Sequence, residues 1–255
     1  MQPIPFFQRE RSAPAGRSFL FDKTGGKRYN YSVINYIVFD RKEMKSLANR
    51  NHALDEKIIK AARDEFLEKG YSNASLRKIA EKAGATAGAI QIRYKTKDAL
   101  FCSLLQPFLA EIEKIFQDTR TEYWQYPPEE RLDFLEKSME MESEAILNLI
   151  FDHGSDAVLL LCRSEGSSLA RCFDQIVERK VQESAAFFNQ AQPHLLDENL
   201  LRLLIAGQFH SYYQMVKEGY EKNAARGYLQ AVMRYHMGGW TALLKAANAR
   251  KGKAQ

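Results

Sequence analysis

Cysteine is scarce in this chain: of 255 residues only Cys102, Cys162 and Cys172 are cysteines, an odd number without metal-ligand spacing. That argues against a disulfide framework and a zinc module, and leaves reduced thiols of a cytoplasmic protein as the expectation. A redox role for Cys162 with Cys172 is the less economical reading beside buried structural thiols. Histidine is nearly as thin, with His52, His153, His194, His210 and His236 scattered along the chain, so no metal site is expected. Long apolar runs are missing too. The longest, Ala157 to Cys162, falls far short of the roughly 20 residues that span a bilayer, so no membrane partner is expected. No charged leader followed by an apolar stretch and a small-residue cleavage site opens the chain, so secretion is not indicated. Gly-x-Ser-x-Gly, His-Glu-x-x-His and a phosphate-cradling glycine loop are all absent, which speaks against an enzyme and against a cofactor. The acids Glu136, Glu140, Glu142 and Glu144 recur at helical spacings expected of a wet face rather than an acid–base centre.

What is present is ample apolar content, 45% of residues, enough for the core of one or two domains. Its most informative stretch is Asp55 to Phe101, which reads as three short helices. Leu54, Ile58, Ala61, Ala62 and Phe66 recur at three- and four-residue steps on one face of a first helix that meets a stop signal at Gly70. Ser75 can cap a second helix that buries Leu76, Ile79, Ala80 and Ala83 and stops at Gly84. Thr86 can cap a third, carrying Ala89, Ile90, Gln91, Arg93 and Tyr94. Small residues from Ala80 to Ala89 let two helices approach at the steep angle of a helix-turn-helix, the motif that places a helix in the DNA major groove.

At these residues the chain resembles the TetR family of bacterial transcriptional regulators. Ala61-Ala62 with Phe66, Gly70-Tyr71, Ile79-Ala80 with Ala83-Gly84, and Lys97-Asp98 with Leu100 match the family's pattern. One departure stands out: the family usually ends its recognition helix with Tyr-x-His-Phe, where this chain has Gln91-Ile92-Arg93-Tyr94. Arg93 can grip phosphate with two donors, Gln91 can bond a phosphate or an adenine edge, and Tyr94 is expected to pack inward. The residues expected at DNA are Ser75, Lys78, Thr86, Ala87, Gln91, Arg93, Tyr94, Lys95 and Lys97. Charge agrees. Residues 44–101 hold 12 Lys and Arg against 7 Asp and Glu, whereas residues 102–255 hold 17 against 21. The positive field therefore sits on the motif, where it would steer the domain to phosphates in a salt-dependent way.

Residues 1–43 are the least family-like part. They mix Gly, Ser, Pro and charge, with one strand-favouring stretch, Tyr29 to Phe39. Disorder, or a biological start at Met44, explains them better than a basic arm that adds phosphate contacts. Beyond Phe101 the pattern predicts six helices, over 103–123, 129–152, 155–165, 167–192, 197–218 and 224–247, with Asp197 as a cap. The last two present largely apolar faces, Leu200, Leu203, Leu204, Gly207 and Ser211 on one and Leu229, Val232, Met233, His236 and Trp240 on the other. Such faces suit a four-helix dimer interface, although filling the protomer's own core would account for some of them. Gly239-Trp240 again resembles the family near its last helix. The resemblance also implies an effector site among the middle helices, for which Trp124, Phe151, Leu161, Arg163, Phe188, His210 and Tyr213 combine aromatic bulk with polar handles. The expectation is an all-α protein: an extension over 1–43, a three-helix helix-turn-helix DNA-binding domain over 44–101, and a helical ligand-binding and dimerisation domain over 102–255. Its partners would be operator DNA, a second copy of itself and an unknown small-molecule effector. The alternative is a DNA-binding adaptor whose C-terminal domain binds a protein partner and no small ligand.

Overall fold

The computed structural model of the protein describes residues 20–21, 27–28, 52–126, 131–191 and 197–251. The chain divides into two compact units, Met1–Ser32 and Val33–Gln255. In the first, β1 (Leu20–Phe21) pairs antiparallel with β2 (Lys27–Arg28), Leu20 opposite Arg28 and Phe21 opposite Lys27. This short ladder has no counterpart among the sequence expectations, and the strand expected over Tyr29 to Phe39 lies outside the described residues.

The regular elements of the second unit are all helices among its described residues. Its helices are α1 (His52–Asn73), α2 (Leu76–Ala83), α3 (Ala87–Tyr94), α4 (Lys97–Gln125), α5 (Arg131–Asp152), α6 (Gly154–Cys162), α7 (Cys172–Ala191), α8 (Glu198–Glu218) and α9 (Lys222–Lys251). The first three pack as the apolar periodicity predicts. Ile58, Ala61, Ala62 and Phe66 of α1 are buried with Ile79, Ala80 and Ala83 of α2 and Ile90 of α3. Helix α2 ends at Gly84 with paired terminal bonds, Gly84 N–H to Glu81 O at 3.2 Å and Ala85 N–H to Ala80 O at 2.9 Å, which satisfy carbonyls that the helix end would otherwise leave bare.

Helix α4 starts on the motif's Lys97-Asp98 and runs on to Gln125, so the boundary expected near residue 101 falls inside one continuous helix. It therefore carries the helix-turn-helix and packs against α5 and α6 as well as α1 and α3. Helix α1 also packs on α6, α7 on α8, and α9 on both α5 and α8. The core is continuous across the boundary. Phe66 meets Phe101 edge-on at 4.9 Å between ring centroids, and Tyr71 meets Phe101 at 5.2 Å.

The stop expected at Gly70 is present: with φ 71 and ψ 164 it breaks α1, and a single further turn runs from there to Asn73. One expectation about a helix end is revised. The helix expected from Ser167 begins only at Cys172, because serine side chains compete for the backbone between them. Ser167 Oγ donates to Ser164 O at 2.6 Å and accepts from Leu169 N–H at 3.1 Å.

The C-terminal interior carries charge as well as apolar bulk. Arg179 of α7 pairs with Glu113 of α4, and Lys180 pairs with Glu142 of α5, with both cations over the Phe116 ring. Glu144 receives a two-donor bond from Arg226 of α9, Nη2 at 2.9 Å and Nε at 3.1 Å, and the bond holds its carboxyl below the usual range. The wet face expected for the acids of α5 is thus half right. Glu136 and Glu140 are exposed, but Glu142 and Glu144 turn to cations on neighbouring helices.

Candidate nucleic-acid interface

The site is the outer surface of α3. This eight-residue helix starts at Thr86, whose hydroxyl oxygen accepts the Ala89 N–H at 3.1 Å. Its inward side is set by Ile90, fully buried, with Ala89, Arg93 and Tyr94 half-buried around it. Ala87, Gly88, Gln91, Ile92 and Lys95 are exposed. Their spacing, with steps of four from 87 to 91 to 95 and from 88 to 92, lays them along one stripe of the helix.

The nine residues expected at DNA fall into two groups. Thr86, Ala87, Gln91 and Lys95 lie on or beside the stripe, and exposed Lys78 on α2 pairs with Glu81 at 3.1 Å. Lys95 stands at φ 60 and ψ −51, an uncommon conformation for a side-chain-bearing residue, at the sharp junction with α4. The other four face the fold. Arg93 donates from Nε to Asp55 on α1 at 2.7 Å and from Nη1 to Ala89 O at 3.2 Å. Lys97 donates to three backbone carbonyls at the end of α1, Tyr71 O at 2.7 Å, Ser72 O at 3.2 Å and Ala74 O at 3.2 Å, and lies 4.5 Å from the centre of the Tyr71 ring. An ammonium has three donors, so Lys97 closes a helix end rather than reaching outward. Tyr94 packs against the core as expected. Ser75 occupies the position before α2, but its side chain makes no capping bond. Buried Glu65 of α1 serves that end instead, accepting the Ser75 N–H at 3.3 Å and Lys82 Nζ at 2.9 Å.

The sequence reading passed over Ile92, which is 83% exposed in the middle of the stripe. The available signal was its phase: Ile92 lies two residues after buried Ile90, on the far side of a 3.6-residue period.

The dimer residues divide similarly. Leu203 and Gly207 are exposed and Leu200, Leu204, Ser211, Val232 and His236 are half-buried, but Leu229, Met233 and Trp240 face the protomer's own core. Packing against α5 and α8 sets this rotation of α9 and turns outward a neighbouring stripe, Tyr228, Ala231, Tyr235, Gly238 and Gly239. Of the effector candidates, Phe151, Leu161 and Tyr213 are half-buried whereas Arg163 and His210 are exposed, and the ring contact described among them joins His210 to Tyr213 at 5.3 Å. The side chains of Trp124 and Phe188 lie outside the described ones. Among the described residues, no group of His, Cys, Asp and Glu could hold a metal ion, and no single helix is long and apolar enough to cross a membrane.

The match to bacterial regulatory proteins of the tetR family covers residues 58–104, from the middle of α1 into the first turns of α4. The HTH-type transcriptional regulator YdgC of Bacillus subtilis (strain 168) is 30% identical over 60 residues, and the match spans 24% of this chain and only 31% of that protein. The fold over most of the chain is similar to MexZ of Pseudomonas aeruginosa, described as a key repressor responsible for antibiotic resistance (TM-score 0.51, 18% identity, 74% of this chain and 94% of that one). It is also similar to the transcriptional regulator FadR of Bacillus subtilis in complex with stearoyl-CoA (TM-score 0.50, 20% identity, 72% of this chain and 98% of that one). The helix-turn-helix over residues 58–104 is thus similar to that of bacterial regulatory proteins of the tetR family, and the helical fold that follows it is similar to those of MexZ and FadR.

Proposed function

We propose that the protein is a DNA-binding transcriptional repressor that acts as a homodimer and leaves its operator when a small-molecule effector binds its C-terminal domain. The observation that carries this reading is the stripe on α3: four exposed residues, continued by Lys95 just past its end, on a recognition helix whose opposite side is anchored by Ile90 and by Arg93 on Asp55. A helix held this way presents a fixed surface, as reading base edges requires. The concentration of positive charge in residues 44–101 supports attraction to the phosphate backbone.

Dimerisation is supported by Leu203, Tyr228 and Tyr235, exposed at 73%, 58% and 79% on α8 and α9, next to the small residues Gly207, Gly238 and Gly239 that permit close approach. Two recognition helices about 34 Å apart would meet successive major grooves. Repression and effector release draw support from the fold shared with MexZ, a repressor, and with FadR, in complex with stearoyl-CoA. Release requires that the effector favour a conformation with the wrong spacing between the helices, since a ligand shifts an equilibrium only by its differential affinity.

A mobility-shift titration with DNA from upstream of the protein's own gene, at fixed salt, tests the reading. Wild type should retard that DNA specifically, Gln91→Ala should weaken the specific complex about tenfold, and Lys95→Ala should weaken specific and nonspecific complexes alike. Absence of specific retardation on genomic DNA would count against the repressor and in favour of an adaptor that binds protein.

A further inference from the structure

The chemistry of the α3 stripe goes further than binding, and this step rests on the DNA-binding reading above. In the major groove, guanine is read by a two-donor arginine or lysine, adenine by glutamine or asparagine, and thymine by apolar contact with its C5 methyl. Between Ala87 and Tyr94, the exposed positions hold Ala87, Gly88, Gln91 and Ile92, with no cation among them. The helix does contain an arginine, but Arg93 is directed back to Asp55 at 2.7 Å and to Ala89 O at 3.2 Å. Lys95 lies past the last residue of the helix, at the sharp junction with α4.

We infer that the protein reads a half-site centred on A·T pairs, with Gln91 bonding an adenine edge and Ile92 seated against the methyl of a thymine. Two observations converge on it. Ile92 is the most exposed large apolar side chain among the described residues, at 83%, on a helix of a positively charged domain. Water disfavours such exposure, and thymine methyls are the apolar feature of the major groove that would cover it. Gly88, one turn earlier on the same stripe, meets no obstacle in the fold: a Cβ there would find only Thr86 Oγ1, at 3.9 Å. Without a side chain there, the backbone at Gly88 lies open to a close approach from outside, such as that of a base pair.

The test is selection of binding sites from a random duplex library by the full-length protein, followed by titration of the selected duplex with each thymine replaced in turn by uracil, which lacks only the methyl. Selected half-sites should contain adjacent A·T pairs. At one position uracil should weaken wild type about three- to fivefold, the value of one buried methyl, and leave Ile92→Ala unchanged. Gln91→Ala should lose preference for adenine at the neighbouring pair. Half-sites dominated by G·C pairs, or thymine positions all indifferent to uracil, would overturn the inference and leave DNA binding intact. Enrichment of no site at all would overturn both.

Discussion

At the scale of single residues, the positions that look alike in sequence part according to what α1 offers them. Lys95 and Lys97 are two residues apart and both read as phosphate contacts, yet the carbonyls ending α1 take the ammonium of Lys97. Lys97→Ala should therefore act first on stability. Carbonyls that lose charged donors cost about 1–3 kcal/mol when buried, less where water reaches them, so the urea midpoint should fall clearly. Any loss of DNA affinity should follow the unfolded fraction and recover under stabilising conditions. A variant with unchanged midpoint but weakened binding would return Lys97 to the interface. His236 offers a pH test. Burial pushes its pKa below the ordinary value of 6.5, so the folded protein resists a proton that the unfolded chain accepts. Stability is then full above that ordinary value and declines as pH falls through it. Urea midpoints from about pH 7.5 to about 5.5 should drop for wild type, and the drop should be shallower in His236→Leu.

At the scale of elements, the break in α1 and the loop after α6 form a clip between the helix-turn-helix and the C-terminal helices. Tyr71 N–H, freed by the Gly70 break, donates to Arg163 O at 2.8 Å, and Ser72 Oγ donates to Glu165 O at 2.6 Å. Asp98 at the start of α4 accepts the Ser168 N–H at 2.9 Å, and Arg63 of α1 bonds Ser155 at 2.8 Å and pairs with Asp156 on α6. Gly166 is required at its place in this loop. Its φ is +85, and a Cβ would stand 2.5 Å from Ser72 Oγ. Gly166→Ala should cost about 1–3 kcal/mol, read as a lower melting temperature. Adding Ser72→Ala should recover the steric part of the loss but not the backbone part. If Gly166→Ala melts like wild type, the clip is not as tight as its geometry indicates.

At the scale of the whole molecule, the outward stripes of α8 and α9 leave Leu203, Tyr228 and Tyr235 exposed on adjacent helices, more apolar surface than an isolated protomer gains from. Leu203→Asp with Tyr235→Asp should convert a dimer to a monomer by light scattering at micromolar concentration while leaving the helical circular-dichroism signal in place. Leu229→Asp, at a buried position, should instead unfold the protomer. The three helices of the DNA-binding domain, their caps at Thr86 and Gly84 and their core from Ile58 to Ile90 were legible in the residues, because short-range periodicity and turn chemistry are local properties. The side of a helix that carries function was less legible. Arg93, Lys97, Met233 and Trp240 have the residue types and spacings of contact residues, but their direction depends on Asp55, the end of α1, and the packing of α9 on α5 and α8. Charge in the C-terminal interior was hidden for the same reason: the partners Glu113 and Arg179 are 66 residues apart, and no local pattern joins them. Sequence alone indicates most of the helical segments and which of them form the helix-turn-helix, since both follow from composition and local order. Which side chains remain outside to do so is decided by tertiary packing, because each anchored residue is held by a group from another helix.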